Sequence, residues 1–270
     1  MMEIYNYQSG SSPLLISIPH AGYYIPDAIK VRMTPAGRSS LDTDWYVDKL
    51  YNFVKEQNIS LLHANYSRYV IDLNRPPDQT VLYPGLHNTE LCPLTRFDGM
   101  PIYLLGQEPS KHEIELRLKH YWFPYHNKIK QVIDDIINQY GFAIILDAHS
   151  IKSSVPSLFK GILPDINFGT NDNKTLPIEI INLLSDVIIQ NGQYSHVING
   201  RFKGGYITRN YVNLKRNIFT LQIELSQILY MNETPPFIYD DKKALNLQAV
   251  LNKIIDVLLQ QADIFKKSYK

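Results

Sequence analysis

The sequence predicts an α/β layered domain. Short β-rich runs alternate with longer helical ones along the chain. Phe142-Ala143-Ile144-Ile145-Leu146 is continuously apolar, as a central strand covered on both faces must be. Lys242 to Gln261 carries the apolar spacing of an amphipathic helix.

The remaining elements follow in order. Leu14 to Ile18 is a short apolar run stopped by Pro19, which reads as a buried strand. Trp45 to Gln57 has apolar residues at 47, 50, 51 and 54, the period of a helix. Asp42, Thr43 and Asp44 precede it, where N-cap residues and first-turn acids belong. Ile59 to Ala64 and Tyr69 to Leu73 read as strands. Residues 76–109 are rich in Pro and Gly without periodicity, a long loop of the sort that often carries function. Ser110-Lys111-His112-Glu113 is a capping box. It opens a helix towards Gln139, with Pro124 a kink or break and Tyr140-Gly141 its end. Ile178 to Gln190 is another helix, stopped at Asn191-Gly192, and Ile218 to Leu225 a strand. No internal repeat or low-complexity block is visible, and this length suits one large α/β domain or two small ones equally well.

Composition excludes several function classes. With 44% apolar and 20% charged residues the chain is ordinary globular protein. A net charge of +1 gives no polyanion-binding surface, so no nucleic-acid partner is expected. The short basic tail, Lys266-Lys267 with Lys270, reads as solvated. Cys92 is the single cysteine, which rules out an internal disulfide and cysteine-based zinc clusters. It stands before Pro93 in a polar stretch, which reads as an inert thiol rather than a nucleophile. No run reaches the ~20 apolar residues of a membrane span, and the start lacks the pattern of a signal peptide. The expectation is a protein of the reduced cytoplasm. Gly-rich phosphate loops and a Gly-x-Ser-x-Gly elbow are missing, which speaks against nucleotide enzymes and serine hydrolases.

Three strands end in residues foreign to a core. The first gives Pro19-His20, the central one Asp147-Ala148-His149-Ser150, and the third contains Gln222 and Glu224. The period of two sets Gln222 and Glu224 on one face, opposite Leu221, Ile223 and Leu225. An unpaired carboxylate there is expensive to bury, so Glu224 is expected to face a site or a cation. Ligands of open α/β sheets collect beyond the carboxyl ends of the strands. His20, His149 and an acid from Asp42-Thr43-Asp44 would give zinc two imidazoles and a carboxylate, leaving one position open. Glu224 could then act as general base. By spacing alone, each histidine can equally be a hydrogen-bonded structural residue, each aspartate a helix cap, and Glu224 the partner of a structural arginine.

Two further groups bear cations. In Ser67 to Pro77, strand alternation would place Arg68, Val70, Asp72 and Asn74 on one side, and Arg75 offers a fork for a carboxylate. The alternative is an internal pair of Asp72 with Arg68 or Arg75. In Arg201 to Arg209, the pair Gly204-Gly205 permits a tight turn or a close backbone approach. Its flanking cations fit either an anion site or a plain basic turn.

Six segments resemble, in order, the motifs of the N-formylglutamate amidohydrolase family: Ser17 to Gly22, Asp42 to Trp45, Ser67 to Pro77, Asp147 to Ser150, Phe202 to Tyr211, and Leu221 to Leu225 with Leu229-Tyr230-Met231. Three of them also resemble the zinc carboxypeptidases. The resemblance implies a single domain over residues 1–270, a three-layer αβα sandwich around a mixed, twisted sheet. It implies one Zn2+ ion on His20, Asp44 and His149, with Asp42 the second choice of carboxylate, because the carboxypeptidases' glutamate three residues after the first histidine is here Tyr23. It further implies Glu224 as base, Arg68 as oxyanion stabiliser, and Asn74, Arg75 and Arg209 as grips for the carboxylates of a small anionic substrate, foremost N-formyl-L-glutamate. The family's usual Gly after Arg-x-Tyr is here Val212. A hydrolase of another acylated amino acid or peptide, or a binding protein on the same fold, are the rival readings.

Overall fold

A computed structural model describes residues 2–82, 84–85 and 88–267. The basic tail is therefore described only in part, and Lys270 lies outside the described residues.

The strands are β1 (Tyr5–Gln8), β2 (Leu14–Ile18), β3 (Ser60–Ala64), β4 (Ala143–Ile151), β5 (Ile166–Gly169), β6 (His196–Ile198) and β7 (Ile218–Ser226). They form one sheet in the order β1-β3-β2-β4-β7-β5-β6. The middle four strands are parallel, while β1 joins β3 and β5 joins β7 antiparallel. The sheet is thus mixed, and the expected three layers are present. The helices are α1 (Asp27–Lys30), α2 (Pro35–Arg38), α3 (Val47–Leu50), α4 (Lys111–Arg117), α5 (Phe123–Tyr140), α6 (Ile178–Asn191), α7 (Tyr206–Tyr211), α8 (Asp241–Gln260) and α9 (Ala262–Lys267).

Alternation along the strands divides the core in two. Ile16 of β2, Ile144 and Leu146 of β4, and Leu221 and Ile223 of β7 pack against α6 and α8. Leu15, Ala143, Ile145 and Ile218 face the other way, against Tyr125, Ile129 and Val132 of α5 and Ile207 of α7. The helix stops act as expected: Gly141 and Gly192 close α5 and α6 in the left-handed conformation. Ser110 caps α4 by accepting from Glu113 N.

Three expectations are corrected. Tyr69 to Leu73 is a chain of turns, not a strand. Arg68 and Asp72 close an ion pair of 2.7 Å across four residues, a spacing that an extended strand would stretch apart. The predicted helix of Trp45 to Gln57 breaks into α3 and a 3-10 turn, Asn52–Lys55. Tyr46 precedes α3 with φ of 61°, so neither Asp42 nor Asp44 caps it. Pro124 causes no break: the chain runs without interruption through a π turn at Leu118–Trp122 into α5, of which Pro124 is the second residue.

Candidate active site

The parallel strands deliver their polar residues to one end of the sheet. His20 follows β2, His149 ends the polar stretch of β4, and Glu224 lies beside it on β7 as its register partner. Asp44 reaches them from the loop before α3, its N–H donating to His20 O at 3.1 Å. All four residues are buried. Among the described residues, His20, Asp44 and His149 offer ligand atoms that all lie within 4.8 Å of one another.

Each imidazole is held from behind. His20 Nε2 lies 2.6 Å from Asp72 Oδ1, and His149 Nε2 lies 2.9 Å from Asp147 Oδ1. The opposite nitrogens face Asp44 Oδ2, at 3.8 Å for His20 and 3.0 Å for His149. Carboxylates placed so orient a ring and fix its tautomer when the other nitrogen binds a metal. Arg68 donates to Asp72 Oδ2 at 2.7 Å and stands 3.7 Å from Asp44 Oδ1.

Burial opposes ionisation of Asp72, but His20 and Arg68 hold its carboxyl well below the usual range. Asp44 is also buried and also held low, by His149, His20 and Arg68. Burial, with the charge of Arg68, lowers the pKa of His20. His149 is buried yet raised well above its ordinary value by Asp147 and Asp44. Burial pushes Glu224 up to about 8. Asp44, Asp72, Asp147 and Glu224 share one dry region with His20, His149 and Arg68, a carboxylate-rich setting that suits a divalent cation. Two imidazoles and one carboxylate are the donor set of a catalytic zinc with a free position, so these residues fit the ion.

A cavity opens over this group, lined also by Arg68, Asn74, Arg75, Thr89, Phe97 and Arg201. A model of the N-formylglutamate amidohydrolase family matches residues 12–231. The chain belongs to this family. Two curated relatives, N-formylglutamate deformylases from Pseudomonas putida and Pseudomonas aeruginosa, are each 42% identical over 259 residues, 96% of this chain and 97% of theirs. A crystal structure of an N-formylglutamate amidohydrolase from Ralstonia eutropha JMP134 shares the fold with a TM-score of 0.79, at 21% identity over 98% of this chain and 99% of that one. A structure from Agrobacterium tumefaciens has a TM-score of 0.73, at 16% identity over 95% of each chain.

In this member of the amidohydrolase family, Asp44 stands with the histidines and Asp42 does not. Asp42 Oδ2 instead accepts from Tyr69 Oη at 2.6 Å and from Phe97 N at 2.9 Å. Tyr23 is 67% exposed and stacks on Trp45. Arg75 lines the cavity and is braced on Thr89, its Nε donating to the carbonyl and an outer nitrogen to the hydroxyl.

Two of the expected grips make contacts of their own within the protein. Asn74 touches the cavity, but its amide is turned inward. Nδ2 donates to Asp147 Oδ2 at 2.9 Å and lies 2.8 Å from His149 Nε2, and Oδ1 accepts from Ile207 N at 2.8 Å. Arg209 is not in the cavity wall; its Nε donates to Gly204 O at 2.8 Å and braces the glycine turn. Arg201 takes the wall position instead. The glycines explain themselves here. Gly204 has φ of 113°, and a Cβ on Gly205 would sit 2.4 Å from Asn74 Nδ2.

Sequence reasoning gave Asp147 no role of its own, passed over Thr89 and saw Asp72 only as a partner for arginine. Asp147 lies two residues before His149 on one strand, so strand alternation could have placed both on one face. Nothing in the loop sequence marks Thr89. Cys92 is buried, and burial pushes its thiol up to about 11, which keeps it protonated and inert. No described helix is long and apolar enough to cross a membrane.

Proposed function

We propose that the protein hydrolyses the amide bond of N-formyl-L-glutamate to formate and L-glutamate with one bound metal ion, zinc by its donor set. The observation that carries this reading is the convergence of His20, Asp44 and His149 beside Glu224, in a cavity walled by Arg68, Arg75 and Arg201. The name shared by both curated relatives supports the substrate. His20, Asp44 and His149 would hold the ion, which when bound supplies Lewis acidity and activates water at neutral pH.

The protein's own groups do the rest. Glu224 is buried, and its desolvated carboxylate is a stronger base than an ordinary glutamate. It removes a proton from the attacking water and passes it to the leaving nitrogen. Arg68 remains a cation, because Asp72 and Asp44 outweigh its burial, and it offers N–H donors to the developing oxyanion. Arg75 and Arg201 receive the two carboxylates, a task suited to planar guanidinium forks. Asn74 holds the ring of His149 against Asp147, and Arg209 fixes the turn that lets Asn74 approach.

Purified protein assayed with N-formyl-L-glutamate, N-formyl-L-aspartate and N-acetyl-L-glutamate, alongside elemental analysis, tests the reading. The expected result is stoichiometric zinc and the fastest turnover with formylglutamate. Protein with stoichiometric metal that leaves all three compounds intact would defeat it.

A further inference from the structure

Two cavities meet at Phe97. Phe97, Ser150 and Ile151 line the site cavity, and the same three residues line a second cavity of about 350 Å³. Leu41, Val155 and Pro156 supply apolar wall to the second space. The Phe97 ring is not a loose flap. Its backbone N–H donates to Asp42 Oδ2 at 2.9 Å, and its carbonyl accepts from the Ser157 hydroxyl. The guanidinium of Arg68 lies 5.0 Å from the ring centroid, and the ring packs on the cluster of Ile151, Val155 and Leu163.

The second cavity adjoins a definite end of the site. Arg75 and Thr89 line the site cavity and take no part in the second one. Asp44 stands with the histidines, while its chain neighbours Asp42 and Thr43 line the second cavity. The scissile amide of a bound substrate lies between its carboxylates and its acyl substituent. With the carboxylates at Arg75 and Arg201, which also lines only the site cavity, and the amide at the His–Asp–His group, the acyl substituent would point towards Phe97 and the space behind it.

We propose that Phe97 is a specificity-determining wall. It confines the acyl group to a single carbon, and the cavity behind it is the room that a longer aliphatic acyl chain enters when the ring is cut back. This rests on the reading that the enzyme cleaves N-acyl amino acids. Formyl carries only hydrogen beyond its carbonyl, so the wild-type wall costs the formyl substrate nothing and each added methylene meets the ring.

The test compares kcat/KM for N-formyl-, N-acetyl-, N-propionyl- and N-butyryl-L-glutamate on the metal-loaded enzyme. A hydrophobic pocket discriminates one methylene by ~10–200-fold. Phe97→Ala should therefore raise the butyryl-to-formyl ratio at least ~tenfold over wild type. Phe97→Leu should fall between, and adding Val155→Phe to the alanine variant, which refills the second cavity, should return the ratio towards wild type. The inhibition constant of N-butyryl-L-glutamate against formylglutamate should drop in parallel. Phe97→Leu keeps apolar packing, so it decides the matter if the alanine variant does not fold. A ratio unmoved in the variants, with wild-type turnover of formylglutamate intact, overturns the wall alone. Wild-type enzyme inert on the whole series overturns the hydrolytic reading and the wall together.

Discussion

The α6–α8 side of the sheet and the carboxyl ends of its middle strands bury their side chains equally well but bury opposite kinds. Leu184, Leu247, Leu251, Ile254 and Leu258 pack under 2% exposed against the strands, with no charge among them. Such a layer is held by apolar area removed from water, ~25 cal/mol per Å², and it asks only for volume and pattern. At the strand ends, Asp44, Asp72, Asp147, His20, His149 and Glu224 are 0–7% exposed. Each charge there is desolvated, and removing one partner strands another. The comparison teaches that this fold keeps stability and chemistry apart. One face supplies free energy, and the strand ends spend it on a crowded electrostatic site.

The sharpest way to break that separation is Glu224→Gln. Turnover of N-formyl-L-glutamate should fall at least ~100-fold, as loss of a positioned acid/base does. Elemental analysis should find the metal still bound. A fully active variant would remove Glu224 from the chemistry.

The opposite perturbation is Leu247→Ala, at the α8 contact with the sheet. It should cost ~2–5 kcal/mol of stability in urea unfolding, with kcat/KM unchanged below the transition. Lost activity in protein that remains folded would show that the two regions are coupled after all.

Asp72→Asn sharpens the comparison within the site. It keeps the shape of the side chain behind His20 and Arg68 but removes its charge. Metal affinity, measured by competition with a chelator, should drop ~10–100-fold. An unchanged affinity would make Asp72 a partner of Arg68 only.

The smallest effect is a pH slope. In metal-stripped protein the Glu224 carboxyl is raised to about 8 by burial, so the folded state keeps a proton that the unfolded state releases. Its contribution to stability is full below the ordinary carboxylate range and is lost as pH rises through about 8. The Tm of Glu224→Gln, relative to wild type, should therefore climb between roughly pH 5 and pH 8. A constant difference would mean that Glu224 ionises freely in the fold.

What the sequence determined by itself is local and periodic. Leu14 to Ile18, Phe142 to Leu146 and Ile218 to Leu225 fall within or overlap β2, β4 and β7, because burial on both faces demands a continuous apolar run. Gly141 and Gly192 ended their helices because a left-handed residue is written in one letter. The polar residues that follow or interrupt those runs, His20, His149 and Glu224, were conspicuous for the same reason.

Only the tertiary structure decided the rest. The short strands β5 and β6, Ile166–Gly169 and His196–Ile198, carry too few residues to show a period and form because β7 offers an edge to β5 and β5 offers one to β6. Ser67 to Asn74 alternates like a strand, but the pull of Arg68 and His20 on Asp72 folds it into turns. Asp44 rather than Asp42, and Arg201 rather than Arg209, face the cavity because of where loops land, and spacing of two or eight residues cannot express that. Periodicity reports which face a residue takes on its own element. Convergence on one point depends on how separate elements pack, and that is a property of the folded chain alone.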